Sequence, residues 1–422
     1  MALEVSEPSE MPASSSSQTL YDKEAKEPTK PSKSLESTRS MSFPRIRKPS
    51  KAARAKYTLT ETQKEMYAAE KLMNFRWIAK TVATTSPYVL QAQDMVPQDI
   101  VEELSLLGQF AETVYVCNSA KPFENFLFAH LRELTRPGFP FDCYTALLDS
   151  TLVSSFHGTV ARLPATIFLH RPTNRLIMSI SGTSTLQHAY YDVKTLKHRH
   201  PSRRGQTHEG FWRLYKGLRS RAFDALKDAL AKFPDVGELV VTGHSMGGVV
   251  SQLLMLDLLA DQSVLPDPDI RLKICAFGSP RPGDAALAQY WKELVKARRL
   301  AHGEDSFTEY FVKAFNDGVP ALPSLAFGFR HFTQTPFYLT DDHLYRVPES
   351  EAECTLFDVQ ERATDPTYPK GGHNYYNGRP IERFFKRINW LEKAKPGVEG
   401  WEERYRKHAG RHERWNERGA TV

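Results

Sequence analysis

The sequence predicts a mixed α/β fold: a mainly parallel central sheet with helices covering both faces. Three observations carry that reading. Short apolar runs alternate with amphipathic helical stretches through the middle of the chain, the pattern of strands that return through helical crossovers. One of those strands, Glu238–Thr242, passes within a few residues into the apolar helix Met246–Ala260. Hydrophobic residues make up 41% and aromatic residues 11% of the 422 positions, enough for a full core.

Taken in order, residues 1–56 are rich in Ser, Pro, Lys and Glu and nearly empty of large apolar side chains. Such a segment cannot bury enough surface to offset its ordering entropy and is expected to be disordered. Its basic cluster, Arg45 to Arg54, reads as solvated, with a membrane or partner contact as the alternative. The first residues carry acids where a signal peptide needs bases, and they lack an apolar stretch. The apolar segment Val249–Ala260 is too short to span a bilayer. A reducing, cytoplasmic setting is therefore expected.

The folded domain is expected over 57–395. Helical spacing begins at Thr60, with Met66, Leu72, Met73, Phe75 and Ile78, and a second helix is expected from Pro97 to Val116. Ala165–His170 and Leu176–Ile180 flank the turn sequence Pro172–Arg175 and read as a hairpin. Phe211–Phe233 reads as a helix. Arg271–Phe277, Tyr310–Ala314 and Pro336–Leu339 read as further strands, the last pairing with Leu344–Val347 around a tip at Asp341-Asp342-His343. An amphipathic helix starts near Glu382, and 396–422 reads as a charged tail.

The net charge of +6 is modest for this length and lacks the concentrated footprint of a nucleic-acid binder. The four cysteines, Cys117, Cys143, Cys275 and Cys354, show no metal-type spacing, and Cys275 lies in a strand as a buried thiol would.

The decisive string is Gly243-His244-Ser245-Met246-Gly247, a G-x-S-x-G with a strand before it and a helix after it. Turning from strand to helix in so few residues strains the serine backbone and leaves no room for side chains at the glycines. The turn lifts Ser245 above the sheet edge at a helix N-terminus, where the N–H of Met246 can donate to a developing oxyanion.

Beyond the elbow, the stretch from about Gln109 to Gly378 resembles the class 3 lipase family, the fungal triacylglycerol lipase type of α/β-hydrolase. The segments that resemble it are Met178–Thr183, His208-Glu-Gly210-Phe211, Phe277-Gly-Ser-Pro-Arg281-Pro-Gly283, Asp317-Gly-Val319-Pro320 and His373-Asn-Tyr-Tyr376-Asn-Gly378, in the family's order. The resemblance implies an α/β-hydrolase fold and a Ser-Asp-His triad. A serine hydroxyl needs a base to take its proton, and that imidazole needs a carboxylate to hold its other N–H.

In this fold the order is Ser, then acid, then His. Asp317 follows an apolar strand and precedes Val-Pro, which fits the acid; its other reading is a turn residue before Gly318. Three histidines follow it. His331 opens an extended run and matches a non-catalytic family position. His343 carries a local Asp-His-Leu string with the wrong tyrosine spacing. His373 has the downstream Tyr and Gly and is the assigned base, with His343 as its rival. Thr183, by resemblance, is the second oxyanion donor beside Met246; otherwise it is an ordinary strand-end threonine.

Residues 184–193 occupy the family's lid position, and a dense basic stretch follows from Lys194 to Arg204. The sequence thus implies a carboxylic ester hydrolase with no cofactor and no metal. Its substrate would be an acylglycerol, with a phospholipid or a soluble ester as alternatives. Contact with a membrane or lipid-droplet surface is an added expectation, and nucleic acid is not. The rival class is a catalytically silent hydrolase fold that serves as a binding protein.

Overall fold

The structure, a computed structural model, describes residue 64 and residues 75–118, 121–182, 196–265, 267–360, 371–377 and 380–419. The expected disorder of 1–56, the helix start at Thr60, Thr183 and the lid-position segment 184–193 lie outside those residues.

In chain order the helices are α1 (Phe75–Val82), α2 (Gln98–Thr113), α3 (Lys121–Ala129), α4 (Leu131–Leu134), α5 (Glu209–Lys232), α6 (Met246–Ala260), α7 (Ala285–His302), α8 (Ile381–Lys393) and α9 (Trp401–Gly419). The strands are β1 (Thr85–Leu90), β2 (Ser150–His157), β3 (Pro164–His170), β4 (Arg175–Ile180), β5 (Lys197–Arg199), β6 (Gln206–His208), β7 (Glu238–His244), β8 (Arg271–Phe277), β9 (Gly283–Asp284), β10 (Phe307–Ala314), β11 (Phe329–Arg330), β12 (Pro336–Thr340), β13 (His343–Arg346) and β14 (Leu356–Val359).

The main sheet runs β13-β12-β10-β8-β7-β4-β3-β2. Its centre, from β12 to β4, is parallel throughout, and antiparallel hairpins close it at both edges. All seven residues of β7 are buried, as a central strand between two helical layers requires. The pleat sorts neighbours to opposite faces. Leu239, Val241, Leu272 and Ile274 join the cluster that packs against α5, α6 and α7. Val240, Cys275, Phe277 and Val312 join the cluster under α2, α3, α8 and α9.

Two helices show why the chain folds locally as it does. In α5 the buried residues Phe211, Leu214, Leu218, Ala222, Leu226 and Ala229 fall three or four apart, so one stripe faces the sheet. Helix α6 is buried nearly all round, with only Asp257 and Ala260 outside the buried set, because it fills the layer between its neighbours and the elbow strand. At the amino end of the sheet, Arg175 and Lys273 share the carboxylates of Glu103 and Glu238, which pins α2 across the strands.

One expectation is corrected. The charged run after residue 396 is not a tail over Trp401–Gly419 but helix α9. Its anchor is Tyr405, fully buried, stacked 4.9 Å from Phe139 and donating its hydroxyl to the Gly138 carbonyl at 2.8 Å. Charged side chains hide such a helix from composition, because a few apolar residues are enough to dock it.

A second, four-stranded sheet has the order β11-β9-β6-β5. Its strands lie in the segments leaving β4, β8 and β10, all of which run parallel to β7. It therefore sits at the carboxyl end of the main sheet. Among the described residues, no helix is long and apolar enough to cross a membrane.

Candidate active site

Strand β7 ends at His244, paired with Phe277 of β8, and Ser245 follows at once as the N-cap of α6. The Ser245 backbone has φ 59° and ψ −125°, a strained conformation for a residue with a side chain. Its N–H donates to the Phe277 carbonyl at 2.8 Å, which ties the elbow to the next strand. The close approach is enforced at Gly247, where an added Cβ would lie 1.9 Å from the Ile180 carbonyl oxygen of β4. Met246 opens the helix, so its N–H is among those that α6 leaves without an intrahelical acceptor.

Asp317 lies just past the end of β10 and is fully buried. Its Oδ1 accepts the Val319 N–H at 2.8 Å, which fixes the carboxylate in its turn. Its Oδ2 accepts from His373 Nδ1 at 2.8 Å and from the Tyr376 hydroxyl at 2.5 Å. A carboxylate can only accept, so Nδ1 of His373 carries the hydrogen and Nε2 is the ring's basic nitrogen. Burial, reinforced by the charge of Asp317, pushes the Tyr376 phenol well above its ordinary range and keeps it a donor. Gly278 closes the other side, where a Cβ would come within 2.9 Å of Asp317 Oδ2.

The His373 arm stands over the elbow. The ring of His373 lies 4.5 Å from that of His244, the residue before Ser245. His244 Nε2 is 2.9 Å from the His373 backbone carbonyl, and His244 Nδ1 is 2.9 Å from the Tyr115 hydroxyl. The carbonyl must accept, so Nε2–H donates to it and Nδ1 accepts from Tyr115. Burial, with His373 nearby, holds the His244 imidazole well below its ordinary range, so it bridges these groups as a neutral ring. Gly182 must be glycine here, because a Cβ would meet the Tyr115 oxygen at 2.1 Å.

The structure thus brings Ser245, Met246, Asp317 and His373 to one end of the sheet; Thr183 lies outside the described residues. The other two histidines that follow Asp317 bond to backbone carbonyls instead. His331 is buried with Nε2 3.0 Å from the Pro320 carbonyl. His343 opens β13, its Nδ1 2.7 Å from the Asp341 carbonyl of its own turn. Sequence reasoning quoted Tyr376 only as part of a string and overlooked Tyr115 and His244. The spacing of three between His373 and Tyr376 was the available signal for the first. Nothing local marks the second contact, which joins residues 129 apart in the chain. Among the described residues, no group of three metal-ligating side chains could hold a metal ion.

Comparisons with known proteins give the following resemblances. Residues 177–325 match the family model described as Lipase (class 3). The chain is 33% identical over 150 residues to the secreted mono- and diacylglycerol lipase A of Penicillium cyclopium, covering 36% of this chain and 43% of that protein. It is 26% identical over 223 residues to a lipase of Rhizomucor miehei, covering 52% of this chain and 56% of the other. The chain thus spans about half the length of the curated relatives it matches. A solved lipase from Rhizopus microsporus var. chinensis superposes with a TM-score of 0.49 at 20% identity, over 71% of this chain and 92% of that one.

Proposed function

We propose that the chain, whose residues 177–325 match the class 3 lipase family, is a carboxylic ester hydrolase acting on acylglycerols. Ser245 is the nucleophile, His373 the general base, and Asp317 the carboxylate that orients the base. The observation that carries this reading is the 2.8 Å bond from Asp317 to His373, over an elbow serine held at φ 59°.

Ser245 Oγ attacks the acyl carbon while its proton passes to His373 Nε2. The developing oxyanion accepts from the Met246 N–H, with Thr183 as the second donor. Collapse breaks the ester bond, and His373 returns the proton to the departing glycerol oxygen. Water then loses a proton to His373 and attacks the acyl-serine, and His373 hands that proton to Ser245 Oγ as the fatty acid leaves. Asp317 stays ionised throughout and stabilises the imidazolium that forms at each step. Loss of one oxyanion donor in such a site costs on the order of 10²-fold in kcat.

The test pairs covalent labelling with turnover. A fluorophosphonate should label the protein at Ser245 and spare Ser245→Ala. A panel of short and long acyl esters, offered dissolved and as emulsions, should be hydrolysed with a preference for glycerol esters. A folded protein that neither labels nor turns over any ester would instead be a silent hydrolase fold.

A further inference from the structure

The four-stranded sheet carries an arrangement that ester hydrolysis itself does not use. On β5, Lys197 and Arg199 alternate with His198, whose ring stacks on Trp212 at 5.2 Å, so the two cations share the opposite face of the strand. Both are exposed, and neither has an ion-pair partner among the described residues. Their neighbours differ: Arg204 pairs with Glu293 at 2.5 Å, and Arg213 with Glu209 at 2.9 Å.

Large apolar side chains flank these cations. Leu196 is 59% exposed and Phe327 is 52% exposed, among the most open hydrophobic residues described. The side chain of Lys197 links the two parts of the patch. Its Nζ lies 5.2 Å from the centre of the Phe329 ring and 3.2 Å from where a Cβ on Gly328 would stand, next to Phe327. Exposed apolar residues interleaved with unpaired cations match a surface with an apolar interior and anionic headgroups.

Topology places this patch at the carboxyl end of the main sheet, the end that bears Ser245 and Asp317. Phe327 is only ten residues past Asp317, and Leu196 lies on the segment that leaves β4 beside the elbow. A surface held against this face would present its lipids to the nucleophile's end of the molecule rather than to the opposite end.

We propose that the exposed β5 edge of the small sheet, with Lys197 and Arg199 and the neighbouring exposed side chains Leu196 and Phe327, docks the protein onto an anionic lipid surface. The purpose of such docking rests on the ester-hydrolase reading, but the binding itself does not, so the two can fail separately. The apolar pair supplies affinity for any bilayer, and the cations add a preference for negative charge that salt weakens.

The experiment is co-sedimentation of the full chain with phosphatidylcholine vesicles and with the same vesicles containing phosphatidylserine. The protein should bind the anionic vesicles more tightly. Lys197→Glu/Arg199→Glu should reduce that binding by at least about twenty-five-fold, which is roughly fivefold for each lost cation compounded, and leave binding to neutral vesicles nearly unchanged. Leu196→Ser/Phe327→Ser should weaken binding to both. Hydrolysis of a dissolved short-chain ester should be the same in all three proteins, which separates loss of docking from loss of the active site. Equal binding of wild type to both vesicles, or undiminished anionic binding by the charge-reversed variant, overturns the proposal; the latter would move the contact to another basic segment such as Arg45 to Arg54.

Discussion

Tyr376 donates its hydroxyl to Asp317 Oδ2 at 2.5 Å, the same oxygen that His373 reaches at 2.8 Å. The carboxylate is fully buried, so its charge rests on these donors and on the Val319 N–H. A hydrogen bond to a charged group is worth about 1.5–3 kcal/mol. Tyr376→Phe should therefore lower kcat by about tenfold to a hundredfold while KM changes little, since no substrate contact is lost. Unchanged kcat on a dissolved ester would show that Asp317 is held adequately without it.

The two histidines that competed in sequence now differ in surroundings. His373 is buried against Asp317, whereas His343 bonds to the backbone of its own turn. His373→Ala should lower kcat by several orders of magnitude, because Ser245 loses its proton acceptor. His343→Ala should cost no more than about 0.5 kcal/mol in stability and leave kcat intact. Steady-state kinetics of the pair on one dissolved ester decide between them, and a dead His343→Ala enzyme would mean that the base has been misassigned.

The elbow makes a steric prediction that activity alone would not reveal. A methyl group at Gly247 would lie 1.9 Å from the Ile180 carbonyl oxygen, which is backbone and cannot rotate away. Gly247→Ala must separate α6 from β4 and should cost on the order of 3 kcal/mol, at the upper end of overpacking penalties. Urea denaturation measures it, and a variant within about 0.5 kcal/mol of wild type would mean that the two elements slide apart easily.

How far the sequence could be read follows from where the information lies. Met246–Ala260 and Arg271–Phe277 have the same limits in the structure as in the sequence reading, because a mostly apolar run bounded by turn residues carries its own boundaries. The sheet core and the Asp317–His373 pairing were legible for the same reason: motif and strand end coincide. The small sheet was not, since β9 and β11 hold two residues each, too few for any periodicity to register. Helix α7 went unread although Asp284 caps it by accepting the Leu287 N–H at 2.9 Å. Tyr115 to His244 was beyond reach, because only the finished fold brings α2's end to the elbow.

Beneath the Asp317 loop, Lys313 of β10 is fully buried with its Nζ donating to the carbonyls of Ala352 and Cys354. Two acceptors match the two hydrogens of a neutral amine, whereas an ammonium would bring a third into a site that also faces Arg281 and His331. Burial is the main cause that lowers its pKa from 10.5 to about 7, with Arg281 adding to it and Glu353 and Cys354 opposing. The sign follows from proton counting. Between about 7 and 10.5 the unfolded chain holds a proton on this lysine that the folded chain lacks, so stability rises with pH across that window. Below about 7 both states are protonated, and the folded state carries a constant penalty for a buried charge. Lys313→Met removes the titration and leaves the two carbonyls short of a donor, a cost that does not depend on pH. The stability of wild type relative to Lys313→Met should therefore increase by about 2 kcal/mol from about pH 7 to about pH 9, at most 1.36 kcal/mol per pH unit. Denaturant titrations of both proteins at several pH values read this out directly. A difference that stays flat over the window would mean that Lys313 keeps its proton in the fold, and that the two carbonyls hold an ammonium.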